Sequence, residues 1–278
     1  MSQTEKRNQP IGIFDSGVGG LTVAREIMRQ MPDERLIYFG DTARVPYGGK
    51  SRETVLRYAR QITRFLISRD VKAVVVACNT ATAFALEDLQ KEFDLPVIGV
   101  IHPGAEAAAA ATKNGRVGVI GTQGTIGSGI YEAVLGQLDP AISVFGKACP
   151  LLCPLVEEGW LDDPITIEVI HRYLAELKKQ DVDTLVLGCT HYPLLRHQME
   201  REMGPEVALI NPAYETAVTC KRVLMQHRLL CDTPAVTGED ADRYCFTVSD
   251  DPQHLQRFAE SVLRTEVGPA EKIDIEQY

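Results

Sequence analysis

The chain has 278 residues, of which 45% are hydrophobic and 24% charged, proportions typical of a globular protein with one large or two smaller domains. Its 29 Lys and Arg against 38 Asp and Glu give a net charge of −9, which argues against non-specific binding to nucleic acid or to an anionic membrane. Residues 1–10 contain no apolar signal segment, and no stretch approaches the roughly 18 apolar residues of a membrane span. We therefore expect an unexported, cytoplasmic protein.

The cysteine content predicts reduced thiols. Seven cysteines are an odd number in a chain without an export signal, so disulfides are not favoured. Cys149 and Cys153 are four residues apart, and no second pair of this kind lies nearby. We therefore expect no zinc site and no other metal site.

The first predicted strand leads into a glycine-rich turn. After a polar tail that we expect to be disordered, residues 1–9, the apolar run at residues 11–14 ends in Asp15-Ser16-Gly17-Val18-Gly19-Gly20, and a helix is predicted over residues 21–30. The glycine spacing matches neither the dinucleotide fingerprint nor the P-loop, so we expect no nucleotide cofactor. Asp15 suits either a ligand contact or a cap for this helix, and the sequence leaves both open.

The second predicted strand, residues 36–39, is followed by a polar loop. This loop carries Asp41, Tyr47 and Gly48, and an amphipathic helix is predicted over residues 51–69. Tyr47 and Gly48 are candidates for substrate contact, but both are also common turn residues.

Two apolar runs end in a cysteine followed by small polar residues. One ends at Cys78-Asn79-Thr80, and the other ends at Cys189-Thr190-His191, 111 positions later (189 − 78). Both read as buried parallel strands, with helices following over residues 80–93 and 193–203. Each cysteine should lie at a strand-to-helix turn, where open α/β sheets bind ligands and where a helix N-terminus favours the thiolate. Two thiols in matching positions suggest a pair of catalytic bases.

The order of elements between these motifs also repeats. Residues 116–122 match the first strand and its turn at an offset of 106 (117 − 11). The elements that follow are a helix over 124–138, a strand over 142–148, a loop carrying Glu157 and Glu158, and a helix over 164–179. Each unit reads as strand, helix, strand, loop, helix, strand, helix, strand, which predicts a doubly wound parallel sheet.

We therefore predict an α/β fold of two pseudo-symmetric, doubly wound parallel-sheet lobes with the active site in the cleft between them. Residues 1–101 form the first lobe and residues 102–212 the second. Residues 213–278 have no counterpart in the second unit, and we expect them to return to the first lobe. Their predicted elements are a helix over 214–230, a polar segment, a strand over 244–248 and a helix that starts at Pro252.

Such a pair of lobes suits inversion at an acidic carbon, because one base removes a proton from one face and a second delivers a proton to the other. A single cysteine at the end of a buried strand is usually a small core residue, and a single histidine is often structural. The repeated setting favours catalysis by Cys78 and Cys189. Asp15 and His191 differ between the repeats, and each could orient a thiol or exchange protons with it.

Four motifs resemble those of the glutamate racemases, a cofactor-independent branch of the aspartate/glutamate racemase superfamily. They are IGIFDSGVGGL at residues 11–21, FGDTARVPYG at 39–48, VVVACNTAT at 74–82 and LVLGCTHYPLL at 185–195. The resemblance runs from about residue 10 to residue 265. Histidine after Cys-Thr favours glutamate, since relatives that act on aspartate carry glutamate there.

The resemblance implies that Cys78 acts on D-glutamate and Cys189 on L-glutamate. It also implies a supply of D-glutamate for peptidoglycan in cell-wall biogenesis and cell shape, no cofactor and a homodimer. Supporting roles are implied for Asp41 and Glu157. The implied substrate contacts are Asp15, Ser16, Tyr47, Gly48, Asn79, Thr80, Thr122, Thr125, Thr190 and His191.

One departure from the pattern is Cys153, which stands where an apolar residue is more usual; we expect it to be structural and not to touch the site. Two other classes of protein remain open from the sequence alone. A non-catalytic amino-acid-binding protein would titrate glutamate without changing its optical rotation. A thiol oxidoreductase would form a disulfide between Cys78 and Cys189 under mild oxidation.

Overall fold

The computed structural model describes residues 3–231, 243–264 and 268–278. Its strands are β1 Ile11–Asp15, β2 Leu36–Gly40, β3 Ala73–Val76, β4 Val97–Gly99, β5 Arg116–Gly121, β6 Ser143–Ala148, β7 Thr184–Gly188, β8 Ala208–Ile210, β9 Tyr244–Val248 and β10 Glu271–Lys272. Its helices are α1 Gln3–Asn8, α2 Leu21–Gln30, α3 Arg52–Ser68, α4 Asn79–Glu92, α5 Ile101–Ala111, α6 Gln123–Gly127, α7 Ile130–Leu138, α8 Leu152–Glu157, α9 Pro164–Lys179, α10 Arg196–Met203, α11 Pro212–Gln226 and α12 Pro252–Leu263. Two 3₁₀ turns lie at Tyr192–Leu195 and Ile275–Gln277.

The strands form two parallel sheets with the same internal order. The first sheet runs β10-β9-β2-β1-β3-β4 and the second runs β6-β5-β7-β8. Thus β2-β1-β3-β4 corresponds to β6-β5-β7-β8, strand for strand, and every pair is parallel. The predicted fold class of two pseudo-symmetric parallel-sheet lobes is confirmed. β9 pairs with β2 and extends the first sheet, whereas the exact division of the chain into lobes stays a prediction.

The central strands are buried on both faces, which is why they read as continuous apolar runs. Every residue of β1, β3 and β7 is buried. Helices cover both faces, and they begin where the sequence places caps. The Ser51 side chain accepts from Thr54 N–H at the start of α3, and Asp163 accepts from Ile165 N–H at the start of α9.

One large hydrophobic cluster runs through both sheets. It contains Ile13 of β1 and Val75 of β3 together with Val119 of β5 and Leu187 of β7. α11 packs against both α2 and α5, so these three helices join the two halves. A second cluster, around Phe65, fills the other side of the first sheet beneath α3.

The amino-terminal segment differs from its prediction. Residues 3–8 form α1 and are not the expected disordered tail. Polar contacts hold this helix in place: Arg7 Nε donates to the carbonyl of Arg228 at 3.2 Å, and Lys72 Nζ donates to the carbonyl of Arg7 at 2.5 Å. These partners are distant in sequence, so no local sequence pattern predicts the contacts that hold α1.

Three further differences concern helices. The predicted helix over 124–138 is two helices, because Gly129 adopts φ of +66° between α6 and α7. Glu157 ends α8 and does not lie in a loop. α5 was not predicted; it contains Pro103 in its first turn, a position where proline is tolerated.

The predicted carboxyl-terminal helices and strand are present, with small differences in their bounds. α11 spans Pro212–Gln226 and ends four residues before the predicted position, while β9 and the start of α12 at Pro252 are as predicted. Most of the predicted polar segment, residues 232–242, lies outside the described residues. Across 3–231, 243–264 and 268–278, no helix is both long enough and apolar enough to cross a membrane.

Candidate active site

Cys78 lies at the carboxyl end of β3 and is the N-cap of α4. Its Sγ accepts from Ala81 N–H at 3.4 Å and donates to Ser16 Oγ at 3.5 Å. The side chain is buried, with 6% exposure. The predicted strand-to-helix position of this thiol is therefore observed.

Cys189 lies at the carboxyl end of β7, the strand that corresponds to β3. The 3₁₀ turn Tyr192–Leu195 follows it instead of a full α-helix. The Sγ atom of Cys189 is 3.8 Å from His191 Nδ1 and 3.5 Å from Cys153 Sγ. It is also buried, with 7% exposure, so both thiols are enclosed.

Three threonine hydroxyls join the lobes beside Cys78. Thr80 Oγ1 of the first lobe is 2.8 Å from Thr122 Oγ1 and 3.2 Å from Thr125 Oγ1 of the second, and the latter two are 3.0 Å apart. Thr122 also caps α6 by accepting from Thr125 N–H. The structure thus brings together three predicted substrate contacts from two separate turns.

Two glycines allow the turns of the two lobes to touch. A Cβ at Gly19 would lie 2.4 Å from Thr190 Oγ1 and 2.5 Å from the His191 ring. A Cβ at Gly48 would lie 2.7 Å from Thr122 Cβ. The carbonyl of Gly48 also accepts from Gly124 N–H at 2.7 Å. Only residues without a side chain permit these approaches.

Asp15 is buried at the end of β1, and its two oxygens have different surroundings. Oδ2 accepts from Gly17 N–H at 3.0 Å, within the glycine-rich turn, whereas Oδ1 is buried without a hydrogen-bond partner. The helix that follows has Gly20 at its N-cap position. Asp15 therefore organises the turn with one oxygen and leaves the other available, which reconciles the two readings of this residue.

Asp41 and Tyr47 bind each other. The Tyr47 hydroxyl donates to Asp41 Oδ2, and Asp41 also accepts from Arg44 Nε at 2.8 Å and from Ser249 Oγ at 2.8 Å. Asp41 is fully buried. The hydroxyl of Tyr47 is thus committed to fixing the loop that presents Gly48.

His191, which is buried, pairs with the partly exposed Glu157 in the second lobe. His191 Nε2 is 2.8 Å from Glu157 Oε1. Burial lowers the pKa of His191, but the hydrogen bonds to Cys189 and Glu157 outweigh burial and raise the pKa to about 10. Burial raises the pKa of Glu157, yet the hydrogen bond from His191 and its charge hold that pKa below its ordinary value. Near neutral pH the pair is therefore an imidazolium and a carboxylate.

Both thiols have raised pKa values, contrary to the expectation that a helix N-terminus lowers them. Burial raises the pKa of Cys78 to about 12, and the charge of Asp15 adds to this, while Ser16 and the Ala81 N–H oppose it less strongly. The hydrogen bond with Cys153, followed by burial, raises the pKa of Cys189 well above its usual range. Desolvation disfavours the charged thiolate more than one N–H group favours it.

Several residues of the site were not foreseen. Tyr131 of α7 donates its hydroxyl to Asn79 Oδ1 at 2.9 Å, across the lobes. The Phe258 ring of α12 lies 6.1 Å from the ring of His191. Cys153 contacts Cys189, and Thr22 Oγ1 donates to the carbonyl of Thr190 at 2.9 Å. The expectation that Cys153 does not touch the site is therefore wrong: it departs from the motif pattern at a position that contacts Cys189.

A small cavity lies beside Cys189, where the turns of the two lobes meet. This cavity of ≈ 10 Å³ is lined by Ala77, Asn79, Leu187, Cys189 and Thr190, among others. That volume holds about one water molecule. Within the part of the chain that the structure describes, one group could supply three metal ligands, namely Cys153, Cys189 and His191.

The chain is similar to known amino-acid racemases. The family model described as Asp/Glu/Hydantoin racemase matches residues 17–220. A glutamate racemase from Geobacter metallireducens is 50% identical over 266 residues, which cover 96% of this chain and 97% of the relative.

The fold is also similar to those of solved glutamate racemase structures. A crystal structure of a glutamate racemase isoform from Bacillus anthracis superposes with a TM-score of 0.90 at 41% identity, covering 96% of this chain and 98% of that one. A glutamate racemase from Francisella tularensis, crystallised in complex with D-glutamate, superposes with a TM-score of 0.89 at 36% identity, covering 98% and 100%. The chain therefore belongs to the Asp/Glu/hydantoin racemase family and, within it, to the glutamate racemases, which are amino-acid isomerases.

Proposed function

We propose that this protein interconverts L- and D-glutamate with two thiol bases and no cofactor, Cys189 acting on L-glutamate and Cys78 on D-glutamate. The observation that carries the proposal is the placement of the thiols. They end β3 and β7, which occupy the same position in two sheets of the same order, and both are buried where the lobes meet. The charge of Cys189 contributes to the raised pKa of Cys78, so the two sulfurs share one electrostatic environment.

Opposed thiols meet the stereochemical requirement of racemisation. A thiolate on one lobe removes the α-proton from one face, and the thiol on the other lobe delivers a proton to the opposite face. After one turnover the protonation states of Cys78 and Cys189 have exchanged. The reverse reaction then uses the same two groups in the opposite roles.

The thiolate needs a positive partner in the dry site. With a pKa of about 12, ionising Cys78 at pH 7 costs about 7 kcal/mol in the closed protein. The α-ammonium of the substrate supplies a charge of the required sign. On the other lobe, the imidazolium of His191, whose Nδ1 is 3.8 Å from Cys189 Sγ, stabilises the second thiolate. Substrate binding and thiol ionisation are therefore coupled.

The polar groups around the thiols suit an amino acid. The unpaired Asp15 Oδ1 is an acceptor for the ammonium group. The threonine hydroxyls at 80, 122, 125 and 190, together with Asn79, are donors for carboxylate oxygens. Ser16 contacts Cys78, and Gly48 places the neighbouring backbone. In this proposal Asp41 positions Tyr47 and the Gly48 loop, and Glu157 positions His191.

The wider role of the reaction is proposed from the family. In this proposal the protein supplies D-glutamate for peptidoglycan and thereby acts in cell-wall biogenesis and maintenance of cell shape. We place this activity in the cytoplasm. We further propose a homodimer of two-lobed subunits. Residues 1–101 and 213–278 form one lobe and residues 102–212 the other, in keeping with the pairing of β9 with β2.

The first experiment follows L-glutamate in deuterium oxide by polarimetry and by mass spectrometry. Optical rotation should fall to zero while one deuterium enters the α-position. Binding without loss of rotation would leave the protein a binder and end the proposal.

The second experiment separates the two bases. Cys78→Ser and Cys189→Ser should each lower racemisation by about 10³-fold or more. With a glutamate analogue that carries a leaving group on the β-carbon, only the first deprotonation is needed for elimination. Cys189→Ser should then eliminate from the D-analogue alone, and Cys78→Ser from the L-analogue alone.

The matched control is Cys245→Ser, a half-buried thiol on β9 that should retain racemisation. If both active-site variants prefer the same enantiomer, or if one thiol suffices for racemisation, a single mobile base replaces the two-base assignment.

A further inference from the structure

Two residues of α8 meet two residues of the Cys189 turn, side by side. Cys153 and Glu157 are four positions apart on one helix, so their side chains share a face. Cys153 Sγ is 3.5 Å from Cys189 Sγ, and Glu157 Oε1 is 2.8 Å from His191 Nε2. The second ring nitrogen of His191, Nδ1, faces Cys189 Sγ at 3.8 Å. Two sulfurs and one imidazole nitrogen thus converge within 4.8 Å of one another.

We propose that this group is a binding site for a thiophilic divalent metal ion of the Zn²⁺ class, and that the bound ion inhibits the protein. The ligands are Cys153 Sγ, Cys189 Sγ and His191 Nδ1. Sulfur and imidazole ligands are those that Zn²⁺ prefers, and three protein ligands with water or substrate at the fourth position are typical of catalytic zinc sites.

The distances are close to those of a tetrahedral site. Zn–S bonds of about 2.3 Å and Zn–N bonds of about 2.05 Å place neighbouring ligand atoms roughly 3.5–3.8 Å apart. The measured separations from Cys189 Sγ are 3.5 Å to Cys153 Sγ and 3.8 Å to His191 Nδ1. The remaining pair is no more than 4.8 Å apart, so the site needs at most a shift of about 1 Å.

Glu157 strengthens the case for a metal over a disulfide. Histidines that bind metals usually donate their other ring N–H to a carboxylate, which fixes the tautomer and the ring orientation. The contact of His191 Nε2 with Glu157 is of this kind, and it leaves Nδ1 for the ion. A disulfide between Cys153 and Cys189 would require neither His191 nor Glu157.

Protons and charge balance on binding. The ion replaces the two thiol protons and the Nδ1 proton of the imidazolium, and His191 keeps its Nε2–H on Glu157. Two thiolates neutralise the divalent charge inside the buried site. Water or a substrate carboxylate completes the coordination at the fourth position.

Inhibition rests on the proposed function, because it follows from Cys189 being a catalytic base. Metal binding itself does not depend on the proposed function. All of the ligands lie in the second lobe, on α8 and the β7 turn, so the ion can bind while the lobes are apart. Cys153 would therefore make this protein sensitive to metal in a way that an apolar residue at that position would not.

The test uses Co²⁺ as a spectroscopic probe, with the full-length protein reduced and kept free of oxygen. One equivalent should produce thiolate-to-cobalt charge-transfer absorption and the intense visible bands of a tetrahedral site. Zn²⁺ should displace the Co²⁺ and bleach the spectrum. Cys153→Ala and His191→Gln should each weaken binding at least tenfold. The matched control, Cys245→Ala, removes another half-buried thiol and should leave the titration unchanged.

Inhibition is measured on each variant relative to its own metal-free activity. Zn²⁺ should inhibit the unaltered protein, a chelator should restore activity, and Cys153→Ala should shift the inhibitory concentration at least tenfold upward. An absent thiolate–cobalt spectrum, an unchanged spectrum in Cys153→Ala, or a Cys153–Cys189 disulfide detected by mass in place of metal binding overturns the site and leaves the racemase proposal untouched. A correct spectrum without inhibition retains the site and contradicts the role of Cys189 as a base.

Discussion

The two cysteine turns share a scaffold but differ in their electrostatic surroundings. Cys78 caps a regular helix and lies near the carboxylate of Asp15, whose charge raises the pKa of the thiol. Cys189 precedes a 3₁₀ turn and lies beside His191. The hydrogen bond with Cys153 and burial raise the pKa of Cys189, and the hydrogen bond and charge of His191 oppose that rise. The Asp15 and His191 charges also attract each other across the interface, since His191 lowers the pKa that burial raises in Asp15.

This difference shows that the repeated turns keep the positions of the two cysteines but not the charged residues beside them. In the proposed reaction each lobe acts on a different enantiomer of glutamate. Identical surroundings would suit only one of the two binding geometries. The three predictions below either break this comparison or make it sharper.

The largest expected effect comes from replacing the charged residue beside each cysteine with a neutral one. His191→Gln should slow elimination from the L-form of a β-substituted glutamate analogue about 10²-fold more than from the D-form. Asp15→Asn should show the opposite preference, because asparagine neither accepts a thiol proton nor retains a negative charge facing the ammonium. The measurement is the initial rate of elimination from each enantiomer.

Elimination is needed here because racemisation cannot reveal the asymmetry. The two enantiomers have equal free energy in water, so kcat/KM is the same in both directions for any variant. If both variants slow elimination from the two enantiomers equally, the partners serve the whole site and the comparison between the turns fails.

The second prediction concerns stability and pH. Because the pKa of His191 is raised from 6.5 to about 10, its contribution to stability is complete below about pH 6.5 and is lost as pH rises toward 10. Between pH 7 and 8.5 the free energy of unfolding of the unaltered protein should fall by about 1.4 kcal/mol per pH unit more than that of His191→Gln. Urea unfolding at several pH values measures this difference.

The control for this prediction is His227→Gln, which changes an exposed histidine and should keep the pH dependence of the unaltered protein. Parallel curves for the unaltered protein and His191→Gln would mean that the pair with Glu157 does not hold a proton in the folded state.

The third prediction tests the contact between turns of the two lobes. Gly48→Ala should lower kcat/KM about tenfold, because the added methyl group would lie 2.7 Å from Thr122 Cβ and overpacking of this kind costs about 1–3 kcal/mol. Gly49→Ala is the matched control, since nothing lies within 4 Å of a Cβ at that position. Equal activity of both variants would show that catalysis does not need this closed contact.

Much of the fold could be predicted because its signals are local. Buried parallel strands read as apolar runs, and α9 begins and ends at its predicted residues because Asp163 and Pro164 mark its start. The sequence patterns failed where they were ambiguous or where an element depends on residues far away in the sequence. The break between α6 and α7 depends on the backbone angle of Gly129, and α1 depends on contacts with Lys72 and Arg228.

The placement of the candidate site residues was predictable where they lie in the repeated turns and less so elsewhere, whereas their roles stay predictions. Asp15 ends β1, and Cys78, Cys189 and His191 lie just beyond β3 and β7, at the edge of the sheets where ligands bind. Tyr131 reaches Asn79 from a helix of the other lobe, and periodicity reveals only that it is buried. The direction of the thiol pKa shifts was predicted incorrectly, since the sequence shows the helix start but not the extent of burial.

The hydrophobic cluster that includes strands of both sheets affects how the protein unfolds. Side chains of β1 and β3 share one continuous apolar interior with those of β5 and β7, and α11 packs on both α2 and α5. Neither half can lose its structure without exposing apolar surface of the other to water, which is costly. Despite its duplicated plan, the chain should therefore melt in one cooperative transition, with equal calorimetric and van't Hoff enthalpies.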